Sequence, residues 1–146
     1  MTEAEQLLIE RACERLITAY SHLIDGGEAA RVADLFTADG VWESADARFD
    51  GGPAIAQAFS RRQANAGRRS RHVCTNVAVE VVSADEATGH CYFTLYRVDG
   101  VEAGRPAHTT TPAMVGDYAD RFVRTADGWR FAHRRASAAF LEDNRE

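Results

Sequence analysis

A chain of 146 residues is long enough for one domain that buries about 70% of the surface its unfolded form exposes. It is 45% hydrophobic and 27% charged, ordinary for a globular protein, and its formal net charge of −5 argues against a nucleic-acid or anionic-membrane surface. No run approaches the ~18 consecutive apolar residues of a membrane span.

The N-terminal residues carry neither the basic start nor the apolar run of a signal peptide, so the expectation is a single cytoplasmic domain over residues 1–146. Cys13, Cys74 and Cys91 are odd in number and lack framework spacing, so they read as reduced thiols.

Thr2 followed by Glu5 is a capping box, so a helix begins at once. Ile9, Ala12, Leu16, Tyr20 and Leu23 recur at helical spacing as its buried stripe, and Gly26-Gly27 ends it. Glu28–Phe36 reads as a second, short helix, followed by an Asp39-Gly40 turn and a short strand at Val41-Trp42-Glu43. Pro53 opens a third helix that runs to about Gln63 with Ile55 and Phe59 inward.

Ala64–Arg71, glycine-broken and arginine-rich, reads as a loop. His72–Val82 and Ala87–Val98 read as strands joined at Ser83-Ala84-Asp85-Glu86. Gly100–Pro112 is an irregular loop. Met114–Arg124 and Trp129–Ser137 then form a long hairpin about Asp127-Gly128.

If Arg124 pairs with Trp129, Phe122 faces Phe131, Asp120 faces His133 and Tyr118 faces Arg135. Polar groups set deep on an apolar face, with Gly116 as the bend, suggest the curved wall of a cavity. Helices first and antiparallel strands last make the class α+β.

Tyr20-x4-Asp25, Leu35-Phe36-x2-Asp39-Gly40-Val41-Trp42, Arg71-His72-x3-Asn76, Val115-Gly116-x-Tyr118 and Gly128-Trp129 stand at the junctions between these elements. Together and in this order they resemble the SnoaL-like polyketide cyclase group of the nuclear-transport-factor-2-like superfamily. The resemblance implies a cone, with a curved antiparallel sheet wrapped on three helices and an apolar pocket at the wide end. Tyr20, Asp25 and His72 are similar to the corresponding residues of scytalone-dehydratase-like and bile-acid dehydratases. The further acid and the terminal arginine of bile-acid dehydratases have no counterparts at Thr94-Leu95-Tyr96 and Ser137-Ala138-Ala139.

The residues carry their own chemistry. His72 titrates near ~6.5 when unperturbed and is a natural general base. Asp25, at the negative end of a helix, is expected to have a raised pKa and to orient it. Asp25 equally reads as an N-cap for the second helix. Tyr20 is a hydrogen-bond donor to an enolate or a plain core tyrosine. On a continuous helix it stands about 140° from Asp25, so their convergence requires the helix to unwind at Asp25.

Asp120–His133 is a second candidate pair. Trp42, Phe59, Asn76, Tyr92 and Tyr118 are expected to bind substrate, and Arg61, Arg62, Arg68, Arg69 and Arg71 read as a solvated basic run, an anion site or a partner contact. His72-x-Cys74 and His90-Cys91 bring at most three ligands together, so no metal and no other cofactor is expected.

The expected function is a small cofactor-free lyase, dehydratase-like, or isomerase acting on a cyclic or aromatic hydroxy-carbonyl compound. The alternative is a non-catalytic binding or assembly module resembling a ring-hydroxylating dioxygenase small subunit. Apolar residues on both hairpin faces, including Val115, Val123 and Ala132 on the outer one, predict a homo-oligomer, a dimer or trimer.

Overall fold

The structure is a computed structural model and describes residues 1–143; the last three residues of the expected domain lie outside the described ones. Helix α1 (Glu3–Asp25) leads to a 3-10 helix (Ala29–Leu35), strand β1 (Phe36–Glu43), strand β2 (Arg48–Asp50) and helix α2 (Gly52–Ala64). Strands β3 (Arg69–Ser83), β4 (Glu86–Val98), β5 (Met114–Thr125) and β6 (Gly128–Leu141) complete the chain. The sheet order is β2-β1-β6-β5-β4-β3, open at both ends. The helices pack in its concave face, giving the expected α+β cone.

The capping box is present: Glu5 N donates to Thr2 Oγ1, and Thr2 N donates to the Glu5 carboxylate. The buried stripe of α1 is Ile9, Cys13, Leu16, Ile17, Tyr20 and Ile24, rotated from the expected one so that Ala12 and Leu23 lie at its margin. The helix does not unwind at Asp25; it runs through that residue and is capped by Gly26.

Three features were not legible in the pattern. Strand β1 pairs with β6 in parallel, so the sheet is mixed rather than antiparallel throughout. The three-residue β2 carries too few side chains to register as a strand. Strand β3 begins inside the arginine run, where Arg69 pairs with Val98.

The hairpin register needs the largest correction. Arg124 pairs with Trp129 and Phe122 with Phe131 as expected, but then Arg121 opposes His133 and Asp120 opposes Arg134. One extra residue, Ala132, sits on β6 between these pairs as a β-bulge. Tyr118 therefore opposes Ala136 rather than Arg135. A one-residue insertion exchanges inward and outward positions. Arg134 is thus carried into the core, and His133 is turned toward Glu43, whose Oε1 is 2.8 Å from its Nε2. The Asp120–His133 pair does not form.

Beyond the bulge the core is aromatic. Phe122, Phe131, Tyr20 and Tyr118 are all at most 3% exposed, and burying each such ring contributes about 1.5–3 kcal/mol. Gly116 faces the β6 backbone so closely that a Cβ there would stand 2.0 Å from the Ser137 carbonyl oxygen and 2.9 Å from the Phe93 ring. That close approach leaves no room for a side chain at this position.

Candidate active site

The sheet and helices enclose a cavity of about 630 Å3, a size suited to a small-molecule ligand. Its inner wall is aromatic. Trp42 of β1 stacks on Phe49 at 5.3 Å and meets Phe59 of α2 edge-on at 6.1 Å. Tyr118 of β5 stacks on Phe93 of β4 at 4.4 Å, and Tyr20 of α1 stands edge-on to both Phe59 and Tyr118.

Tyr20 and His72 also line the cavity, their ring centroids 6.3 Å apart. Strand β3 supplies His72 on its inward face, two residues after Ser70, as the period of two requires. Helix α1 supplies Asp25 from its last turn. One carboxylate oxygen, Oδ1, lies 2.7 Å from both His72 Nδ1 and Ser70 Oγ; the other, Oδ2, accepts the backbone N–H of His72 at 2.7 Å.

Asp25 is therefore engaged by β3 and does not cap the 3-10 helix, whose N-cap is Glu28. The side chains of His72 and Asp25 are only 11% and 10% exposed, so the pair is shielded yet opens on the cavity through the imidazole.

The expected rise in the Asp25 pKa does not occur. Burial pushes the carboxyl up, but hydrogen bonds from the His72 ring, the His72 backbone N–H and Ser70 outweigh it and hold the group below its ordinary value. Asp25 is an anion at neutral pH. Its natural partner is an Nδ1–H, which leaves the Nε2 lone pair of a neutral imidazole available.

Tyr20 stands edge-on to the imidazole. Trp42 Nε1 donates to its hydroxyl at 3.0 Å, and the Tyr118 ring stands edge-on to the Tyr20 ring at 5.7 Å. Burial pushes the Tyr20 phenol above the ordinary value, against the opposing pull of Arg134, Trp42 and Tyr118. Tyr20 thus keeps its proton and has an O–H to give.

Beneath the two phenols lies Arg134, wholly buried. Its guanidinium carbon is 3.5 Å from the Tyr118 ring centroid and 4.2 Å from that of Tyr20. Asp120 Oδ1 lies 3.1 Å from Arg134 Nε, but off hydrogen-bond geometry. Burial pushes the Asp120 carboxyl up to about 6 against the pull of Arg134.

Of the residues expected to bind substrate, Trp42, Phe59 and Tyr118 line the cavity; Asn76 and Tyr92 do not. Asn76 sits exposed at a β3 bulge with φ of 53°, which breaks the alternation that placed it inward. Tyr92 is 47% exposed on the outer face of β4, edge-on to His90. Ser70 and Arg134 escaped the sequence reading. Ser70 carried a signal in its spacing from His72, whereas Arg134 was hidden by the bulge. The three cysteines are free. Among the described residues, no group of three or more His, Cys, Asp or Glu side chains could hold a metal ion, and no helix is long and apolar enough to cross a membrane.

Solved structures share this architecture. An NTF2-like protein with a cystatin-like fold from Novosphingobium aromaticivorans is 27% identical over 96% of this chain and 86% of its own, with a TM-score of 0.74. A candidate scytalone dehydratase from the same organism matches at 22% identity over 99% and 93%, with a TM-score of 0.83. The hexachlorocyclohexane dehydrochlorinase LinA-type3 from Novosphingobium barchaimii matches at 16% identity over 96% and 92%, with a TM-score of 0.76. The last two likenesses speak to the fold alone. No curated protein matches the sequence. The SnoaL-like domain family matches residues 5–135, nearly the whole length, and the chain belongs to that family, within the NTF2-like superfamily.

Proposed function

We propose that this protein is a lyase- or isomerase-type enzyme that acts on a cyclic or aromatic hydroxy-carbonyl compound without a metal or redox cofactor. The observation that carries the reading is the 2.7 Å contact between His72 Nδ1 and the Asp25 carboxylate, at the wall of an aromatic cavity and facing Tyr20. The fold relatives include proteins named for eliminations, a dehydratase and a dehydrochlorinase.

In this mechanism His72 Nε2 removes a proton α to the substrate carbonyl. Asp25 stabilises the imidazolium so formed. The Tyr20 O–H, polarised by the donor from Trp42, hydrogen-bonds the developing enolate oxygen. In a dehydration the enolate re-forms the carbonyl and expels the β-hydroxyl, which takes the proton from the imidazolium and leaves as water. In an isomerisation the same proton returns to another carbon. The aromatic walls exclude water and hold a flat ring.

The test is turnover of a panel of cyclic and aromatic β-hydroxy ketones, followed by enone absorbance, for the native protein and for His72→Ala. Turnover that depends on His72 supports the assignment; turnover undiminished in the variant refutes it.

We also propose self-association, through a surface other than the one expected. Val115, Val123 and Ala132 are half-buried within the chain. Exposed apolar side chains gather instead on the outer face of β3 and β4, where Val73, Tyr92 and Tyr96 are 40–47% exposed. Light scattering at micromolar concentration tests this: a Tyr92→Glu change should dissociate a dimer or trimer, and a native monomer would refute it.

A further inference from the structure

We infer that the cavity's arginine rim binds an anionic group on the ligand, a carboxylate or a phosphate, so that the substrate class is acidic hydroxy-carbonyl compounds. The inference deepens the proposed function and rests on its reading of the cavity.

Arg61 and Arg62 of α2, Arg68 ahead of β3, and Arg97 of β4 all line the cavity whose inner wall is aromatic. Asp46 is the one acidic residue in that lining among the described residues. Only Arg68 has a carboxylate partner, Asp99, at 2.6 and 3.0 Å. Arg62 is half-buried and spends its Nη2 on neutral acceptors, Ser70 Oγ at 3.0 Å and the Arg68 carbonyl at 3.4 Å. The side chains of Arg61 and Arg97 make no hydrogen bond or ion pair among the described residues.

A solvated helix end explains Arg61, which complements the C-terminal dipole of α2. It does not explain why cations from two strand ends join it around one concavity. Burial lowers the Arg62 pKa, and repulsion from Arg68 and Arg97 adds to this against the pull of Asp25 and Asp99. Low-dielectric walls focus such a field on an incoming anion, and guanidinium forks fit carboxylate and phosphate oxygens alike.

The rim is also coupled to the chemistry. Arg62 Nη2, Ser70 Oγ, Asp25 Oδ1 and His72 Nδ1 are joined in sequence by contacts of 3.0, 2.7 and 2.7 Å. An anion held at Arg62 would therefore anchor the substrate on the same wall as the base, with its ring among Tyr20, Trp42 and Phe59.

Calorimetric titration with 2-naphthoate, 2-naphthyl phosphate and the uncharged 2-naphthamide tests this independently of turnover. The better anion should bind about tenfold or more tightly than the amide at low salt, and added salt should shrink that advantage. Whichever anion leads identifies the carboxylate or phosphate as the natural group. Arg97→Gln, at a side chain with no hydrogen bond to disrupt among the described residues, and Arg62→Gln should each lower the anion-to-amide affinity ratio about 3- to 10-fold; using the ratio cancels any general damage to the cavity. Anions that bind no better than the amide, or a ratio unchanged in both variants, would overturn the rim while amide binding left the cavity reading intact. Failure of all three probes to bind would overturn both.

Discussion

Asp25 holds His72 at two points, the backbone N–H on Oδ2 and the ring Nδ1 on Oδ1, each at 2.7 Å. A carboxylate that grips both parts of one residue fixes the ring's position and its tautomer together. It also ties the end of α1 to the start of β3, so the contact proposed to serve catalysis also contributes to local stability.

Replacing His72 by Ala is expected to lower turnover about 10²–10⁴-fold, the usual contribution of a general base. Asp25→Asn should lower it as well, and the double variant should lose little more than His72→Ala alone, since the two act as one unit. Steady-state kinetics on all three proteins checks this; additive losses would separate the roles.

Tyr20→Phe deletes only the hydroxyl that takes the Trp42 donor. The predicted loss is roughly 2–4 kcal/mol of transition-state stabilisation, carried by kcat. Thermal unfolding and kcat measured side by side distinguish this from a core tyrosine, which would lose stability and leave kcat alone.

The pH dependence of stability has a definite sign at Asp25. Its folded pKa is below the ordinary 3.8, so the carboxylate stabilises the fold at pH values above that point. The contribution is lost as pH falls through the folded value. The Tm difference between the native protein and Asp25→Asn should therefore narrow as pH falls below about 4. A difference that fails to narrow there would contradict the lowered pKa.

Asp120 and Arg134 are buried together with fully covered side chains. Asp120→Ala leaves a buried guanidinium without its counter-charge and should cost about 3–5 kcal/mol. Adding Arg134→Met removes that charge and should restore much of the loss. Urea unfolding of the single and double variants decides the matter; no recovery in the double variant would mean that Arg134 matters through its stacking on Tyr118 instead.

Gly116→Ala should destabilise by about 1–3 kcal/mol or more, because the new Cβ meets a backbone oxygen that cannot swing aside. A neutral substitution, measured by thermal unfolding, would mean that β5 and β6 can part at no cost.

Local patterns determined much of this protein. The Thr2–Glu5 box, the helical stripe through Tyr20, Pro53 at the start of α2 and the Asp127-Gly128 turn each act within a few residues, so each could be read from the chain alone. The Arg124–Trp129 and Phe122–Phe131 pairs followed because a hairpin turn fixes register nearby. Register further out was decided by the bulge at Ala132, which no alternation signals. It put Arg134 in the core and sent His133 to Glu43. The parallel β1–β6 pairing is likewise a choice between distant segments. The charge state of Asp25 was also decided in three dimensions. The helix end alone disfavours an anion there, but Ser70 and His72, 45 and 47 residues away, supply three donors. Hydrogen bonds at 2.7 Å outweigh both a dipole's partial charge and the cost of burial, and only the folded chain brings those donors to the carboxylate.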